Sequence, residues 1–193
     1  MTSVSTDAIR ARRAQGAMFL FAFGGAWLAY YEVQMAGVNP ADLVIVALVT
    51  VALLSYAYRR YRQNRLALAA ESSSPARKRS GRIFNIVNAV QWILICIASS
   101  VLVGRGLSVW LVPCVIFIVG LHLFPLAYAF DNSAHYFTGA ALIALSVSYP
   151  LLSASGPASP IGSLGAALIL WASGCWAITA NNSFKPKPLR DSA

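Results

Sequence analysis

Charge is what this chain has least of. Only 11% of its 193 residues are Asp, Glu, Lys or Arg, where ordinary globular chains carry about 25%. A water-facing surface is built largely from such residues, so there is too little polar material to coat a soluble domain of this size. That excludes a soluble enzyme. Acidic residues are scarcest, six against fifteen basic ones, and no two carboxylates pair inside an apolar run. Cysteine is also sparse. Cys96, Cys114 and Cys175 sit singly in apolar runs, with neither metal-ligand spacing nor a disulfide framework, and read as small packing residues. A nucleophile elbow, a Walker loop and an H-E-x-x-H pair are all missing, so enzyme chemistry has little support. Disorder is excluded by a mean hydropathy of +0.64, the reverse of what disordered chains show.

Long apolar runs are what the chain does have. Residues 14–31, 43–58, 83–104 and 106–130 carry no formal charge, and neither does 132–184, which the turn-rich segment Ser153 to Pro160 divides. A helix rising ~1.5 Å per residue needs about 20 apolar residues to cross a bilayer core ~30 Å thick. The runs predict six spans, near residues 14–35, 41–59, 83–103, 107–129, 135–152 and 161–180. Helices fit better than a transmembrane barrel, whose strands alternate polar and apolar residues. Segments such as Trp92 to Ala98 are apolar all round, and a helix pairs its own backbone groups in lipid. The expected fold is an all-α polytopic membrane protein, with short turns after spans one, three and five suggesting three helix hairpins in series.

Basic residues favour the cytoplasmic side. Arg10, Arg12 and Arg13 precede span one; eight more, from Arg59 to Arg82, lie between spans two and three; Lys185, Lys187 and Arg190 follow span six. With six spans, 14 of the 15 basic residues share one side and only Arg105 is opposite. Cytoplasmic tails are therefore expected at 1–13 and 181–193, with a basic cytoplasmic loop at 60–82. That loop reads as a topology determinant resting on anionic lipid headgroups, rather than as an arm for nucleic acid or protein. Trp27, Tyr30 and Tyr31 crowd the place where a signal peptide would need small residues, so span one is expected to remain uncleaved.

Helix association in lipid relies on close packing at small residues. Ala140, Ala144 and Ser148 form such a face on span five, Gly162 and Ala166 on span six, and Ala22 and Ala26 on span one. Either packing within one chain or a contact with another copy or membrane partner would use them.

The stretch from Gly120 to His135 holds the best candidates for chemistry. His122 lies inside span four, ~12 Å from its basic end. Pro125 lacks an amide hydrogen and frees the carbonyl of Leu121, so this polar spot must face protein or water. His122 can be a proton carrier, a donor that orients a ligand, or a strut between helices. Asp131 and His135 are four apart and can form a relay pair on one helix. Alternatively, Asp131 or Asn132 caps span five. On span three, Asn85, Asn88 and Gln91 form a polar stripe that can line a cavity with His122 or hydrogen-bond between helices. No metal or other cofactor is called for by these patterns.

The segment Val119-Gly-Leu-His-Leu-Phe-Pro-Leu-Ala127 resembles one in small multi-pass bacterial membrane proteins to which no activity is assigned. The resemblance covers spans four and five. It implies a bacterial inner-membrane location and directs attention to His122 and Pro125. The leading expectation is a non-enzymatic protein that binds or passes a small solute or lipid. Its polar contacts would come from His122, Asn88, Gln91, Asp131 and His135. A structural or accessory subunit is the alternative, and an intramembrane metal-dependent enzyme built on Asp131, His135 and His122 is the third reading.

Overall fold

The computed structural model describes residues 6–36, 39–70, 75–130 and 132–180. They form six α-helices: α1 (Thr6–Ala36), α2 (Pro40–Ala70), α3 (Pro75–Gly104), α4 (Leu111–Phe130), α5 (Ser133–Leu152) and α6 (Ile161–Thr179). Short 3-10 turns, Ser108–Trp110 and Gly156–Ala158, precede α4 and α6. There is no strand among the described residues. Five helices, α2 to α6, are long and apolar enough to cross a membrane, the architecture of a multi-pass membrane protein. Although 31 residues long, α1 falls outside that group because Gly24, Gly25, Trp27, Tyr30, Tyr31 and Glu32 dilute its apolar stretch. Its position explains why it can. It packs between α2 and α6, so much of its surface meets protein rather than lipid.

Local chemistry fixes the helix ends. The Asn39 side chain accepts from the Ala41 amide at 3.1 Å, and Pro40 occupies the first helical position, where its missing N–H costs nothing. Asn132 caps α5 in the same way, accepting from Ala134 at 3.3 Å. At the end of α3, Gly106 adopts φ +72°. Its amide bonds to Val103 and that of Leu107 to Leu102, closing the helix with a left-handed turn that favours glycine.

The helices lie side by side in the order α2, α1, α6, α5, α4, α3. The expected hairpins are present, but α1 also lies along α6 and α4 lies closely along α5. As outer helices, α2 and α3 each have one main neighbour and turn many apolar residues outward. Phe19 and Phe84, with ring centroids 6.4 Å apart, bring α1 and α3 together.

Glycine contacts set the closest approaches. A Cβ at Gly120 would stand 2.9 Å from the carbonyl oxygen of Gly139, and one at Gly139 would stand 2.7 Å from that of Gly120. Gly174 receives the ring of Phe21 and Gly162 that of Tyr149. The expected ridge on α6 is therefore inside, with Gly162 and Ala166 buried. On α5 the inward seam is instead Gly139, Leu142, Ser146 and Tyr149, while Ala140 and Ala144 are exposed and Ser148 is half-buried. Ala22 and Ala26 also face outward.

Much of the basic stretch anticipated as a loop is helical. Arg59 to Ala70 continues α2, and α3 already includes Arg79 and Arg82. The same holds for Arg10, Arg12 and Arg13, which belong to α1. Ala8 and Ala11 on α1 and Leu68 on α2 are buried, so the two helices stay packed beyond their apolar runs.

Candidate functional site

Two contacts set the register of α3 against α4 near the basic end. The Ser80 hydroxyl donates to the Ala129 carbonyl at 2.9 Å, and the rings of Phe84 and Phe130 lie 6.2 Å apart. Counting inward from these pairs brings Gln91 level with residues 118–123 of α4, a range that includes His122. Gln91 is 9% exposed, and its Oε1 is buried without a hydrogen-bond partner. Both ring nitrogens of His122 are buried without a hydrogen bond to a neighbouring helix, the Val119 carbonyl of the same helix being the one group within reach of the ring.

Leaving a buried polar group unpaired costs about 1–3 kcal/mol, and the usual remedy in an apolar surround is a partner from neighbouring protein or ordered water. A neutral imidazole has one donating and one accepting nitrogen. Were the two side chains to share one site, the imidazole and the Gln91 oxygen would together offer one donor and two acceptors. A molecule that completes it must supply two donors and one acceptor, as water, a diol or a primary amide can.

His135 stands in the first turn of α5, half-buried, with its imidazole within electrostatic reach of His122. Asn88 is half-buried and Asn85 exposed, so the polar stripe of span three turns inward only at its deeper members. Asp131 lies outside the described residues. The capping expected of Asp131 or Asn132 is made by Asn132. Pro125 sits on the exposed stripe of α4 with Leu121 and Tyr128. Its free carbonyl partner therefore belongs to the outer side of the helix, away from the buried seam. Gly120 lies two residues before His122 and provides the α4–α5 contact described above.

Interhelical polar contacts also form at residues that the sequence did not single out, as between Ser163 and Gln34 at 2.7 Å. The hydroxyls of Thr138 and Ser173 share a hydrogen bond of 2.8 Å between α5 and α6, and Thr138 also bonds back to the Ala134 carbonyl. Thr138 is next to Gly139, on the buried seam, and that seam is the pattern that could have revealed it. No group of three His, Cys, Asp or Glu able to hold a metal occurs among the described residues. No family model matches the chain, and neither a curated protein nor a solved structure does.

Proposed function

We propose that this chain is a six-span protein of a bacterial inner membrane, with both termini and the basic ends of its helices in the cytoplasm. Its role is to bind or pass a small polar solute or lipid between α3, α4 and α5, without enzymatic chemistry. The observation carrying this reading is the burial of the Gln91 oxygen and the His122 ring nitrogens with no partner on a neighbouring helix. A packed interface satisfies its polar atoms, whereas a ligand site keeps some in reserve. Asn88 and His135 line the approach from the basic end, and Asp131 follows α4 at that end. The orientation rests on the basic residues gathered at one end, and the span count on α1 crossing in the shelter of α2 and α6.

The test is native mass spectrometry of protein released from mild detergent, wild type beside His122→Ala. A stoichiometric adduct present in wild type and lost in the variant supports the site and gives the ligand's mass. Bare protein in both samples refutes it.

The second reading is an accessory subunit acting through helix packing. It is favoured by the outward position of Ala140 and Ala144, small residues four apart and exposed on α5. Ala144→Leu would then break a complex that His122→Ala leaves intact.

A further inference from the structure

A polar cleft of about 380 Å³ opens at the basic end, among α1, α2 and α6. Arg10 and Arg13 of α1, Arg60 and Asn64 of α2, and the last turn of α6 to Ala180 line it. These side chains are held in place. Half-buried Arg13 donates to the Ala180 carbonyl at 2.9 Å, tying α1 to the end of α6. Arg60 donates to the Tyr56 hydroxyl at 3.1 Å and lies 5.6 Å over the same ring. Arg10 is paired with Asp7 at 3.1 Å, and Asn64 donates to the Arg60 carbonyl at 2.9 Å.

Three guanidiniums thus surround one concavity, offset among the described residues by the single carboxylate of Asp7. Like charges held this close repel unless an anion lies between them. The chain's own C-terminal segment is a poor candidate, because residues 181–193 carry Lys185, Lys187 and Arg190 against one acidic side chain, Asp191.

Depth selects the class of anion. Arg13 immediately precedes the charge-free run that starts at Ala14, Arg60 follows the run that ends at Tyr58, and α6 ends at Thr179. Three helices leave their apolar stretches at one level, the level of lipid headgroups. Guanidinium forks match phosphate oxygens two at a time. We infer that this cleft binds the phosphate of an anionic phospholipid as one retained molecule, beyond the diffuse attraction that any basic surface exerts on a membrane. Free phosphate would use the same donors, so the test must separate the two sources.

Full-length protein in dodecylmaltoside is titrated with phosphatidylglycerol, phosphatidylcholine or inorganic phosphate, and adducts are counted by native mass spectrometry. Wild type is expected to retain one phosphatidylglycerol that phosphatidylcholine does not replace. Arg13→Gln with Arg60→Gln weakens that retention by about thirtyfold, at the usual contribution of a basic residue near anionic lipid. Arg62→Gln with Arg65→Gln removes equal charge from exposed positions of α2 outside the cleft and leaves retention within about threefold. Because Arg13→Gln also deletes the α1–α6 hydrogen bond, Arg60→Gln alone must show about a fivefold loss. Equal losses in the two double variants would overturn the proposal in favour of diffuse attraction. Saturation by inorganic phosphate with no retained phosphatidylglycerol would overturn the lipid assignment, and no adduct from either source would overturn the site itself.

Discussion

The α4–α5 crossing offers the sharpest test of the packing described here. A Cβ added at residue 139 would lie 2.7 Å from the carbonyl oxygen of Gly120 and 2.9 Å from the ring of Phe124. The ring can swing aside, but the carbonyl is backbone and cannot, so Gly139→Ala must part the two helices. Overpacking of this kind costs about 1–3 kcal/mol. Against it stands the gain from placing Ala instead of Gly in a helix interior, about 0.8–1 kcal/mol. The net expectation is destabilisation of up to about 2 kcal/mol. Gly16, inside α1, has no heavy atom within 4 Å of a built Cβ. There only the helix preference acts, and Gly16→Ala should stabilise by roughly 0.5–1 kcal/mol. The same chemical change is thus expected to act with opposite sign at two sites. Unfolding of detergent-solubilised protein by titrated SDS, followed through tryptophan fluorescence, reads both midpoints against wild type. Shifts of like sign and size would mean that α4 and α5 do not approach at these glycines, and the account of the bundle would fail with them.

Two further substitutions address the site and its boundary. Gln91→Met keeps the side-chain length and removes an oxygen that lacks a partner. In ligand-free detergent it should stabilise the protein by about 1–3 kcal/mol on the same SDS titration while abolishing any adduct that depends on His122; a loss of stability would show that the oxygen already has a protein partner. Asn132→Ala removes the side-chain cap on the Ala134 amide and should cost about 1 kcal/mol, with faster amide hydrogen exchange confined to the first turn of α5. Exchange unchanged there would place the start of that helix elsewhere.

The membrane architecture was legible because run length is a direct measure of lipid thickness, and residues 83–104 or 106–130 leave no other use for so many apolar side chains. The helix ends were less so. Spans expected at 14–35 and 41–59 became helices from Thr6 to Ala36 and from Pro40 to Ala70. A lipid-length criterion stops at the first arginine, whereas a helix continues in water when its neighbour buries Ala8, Ala11 or Leu68. The packing faces divided for a related reason. On α5, Ala140–Ala144–Ser148 and Gly139–Leu142–Ser146–Tyr149 lie one residue apart. Lipid accepts an outward alanine as readily as an outward leucine, so small-residue spacing alone does not say which row turns inward. Gln91 and His122 stood out because a polar side chain deep in an apolar run has few tolerable environments. Asn85, two turns nearer the basic end, is free to face outward, and it does. The joining of Arg13 to Ala180 depends on α1 lying beside α6, a neighbourhood that no stretch of sequence displays.

His122 could act as a strut only by using its ring nitrogens to hold two helices together. Neither nitrogen hydrogen-bonds to another helix among the described residues, and the backbone group within reach, the Val119 carbonyl, belongs to its own helix. Gly120, two residues from His122, and Gly139 supply the α4–α5 contact, and the Thr138–Ser173 hydrogen bond joins α5 to α6. A bundle already closed at these points gains nothing from burying the imidazole and the Gln91 oxygen without partners on a neighbouring helix. On the reading proposed above, that cost is recovered when a molecule supplies donors and an acceptor. Binding confined to the folded state then adds stability, about 2.7 kcal/mol at a concentration one hundred times the dissociation constant. A ligand of this site should therefore raise the SDS midpoint of wild type and leave Gln91→Met where it was. That difference separates a site built to receive a partner from a polar pair merely tolerated in the membrane, because tolerated groups have no saturable way to become satisfied.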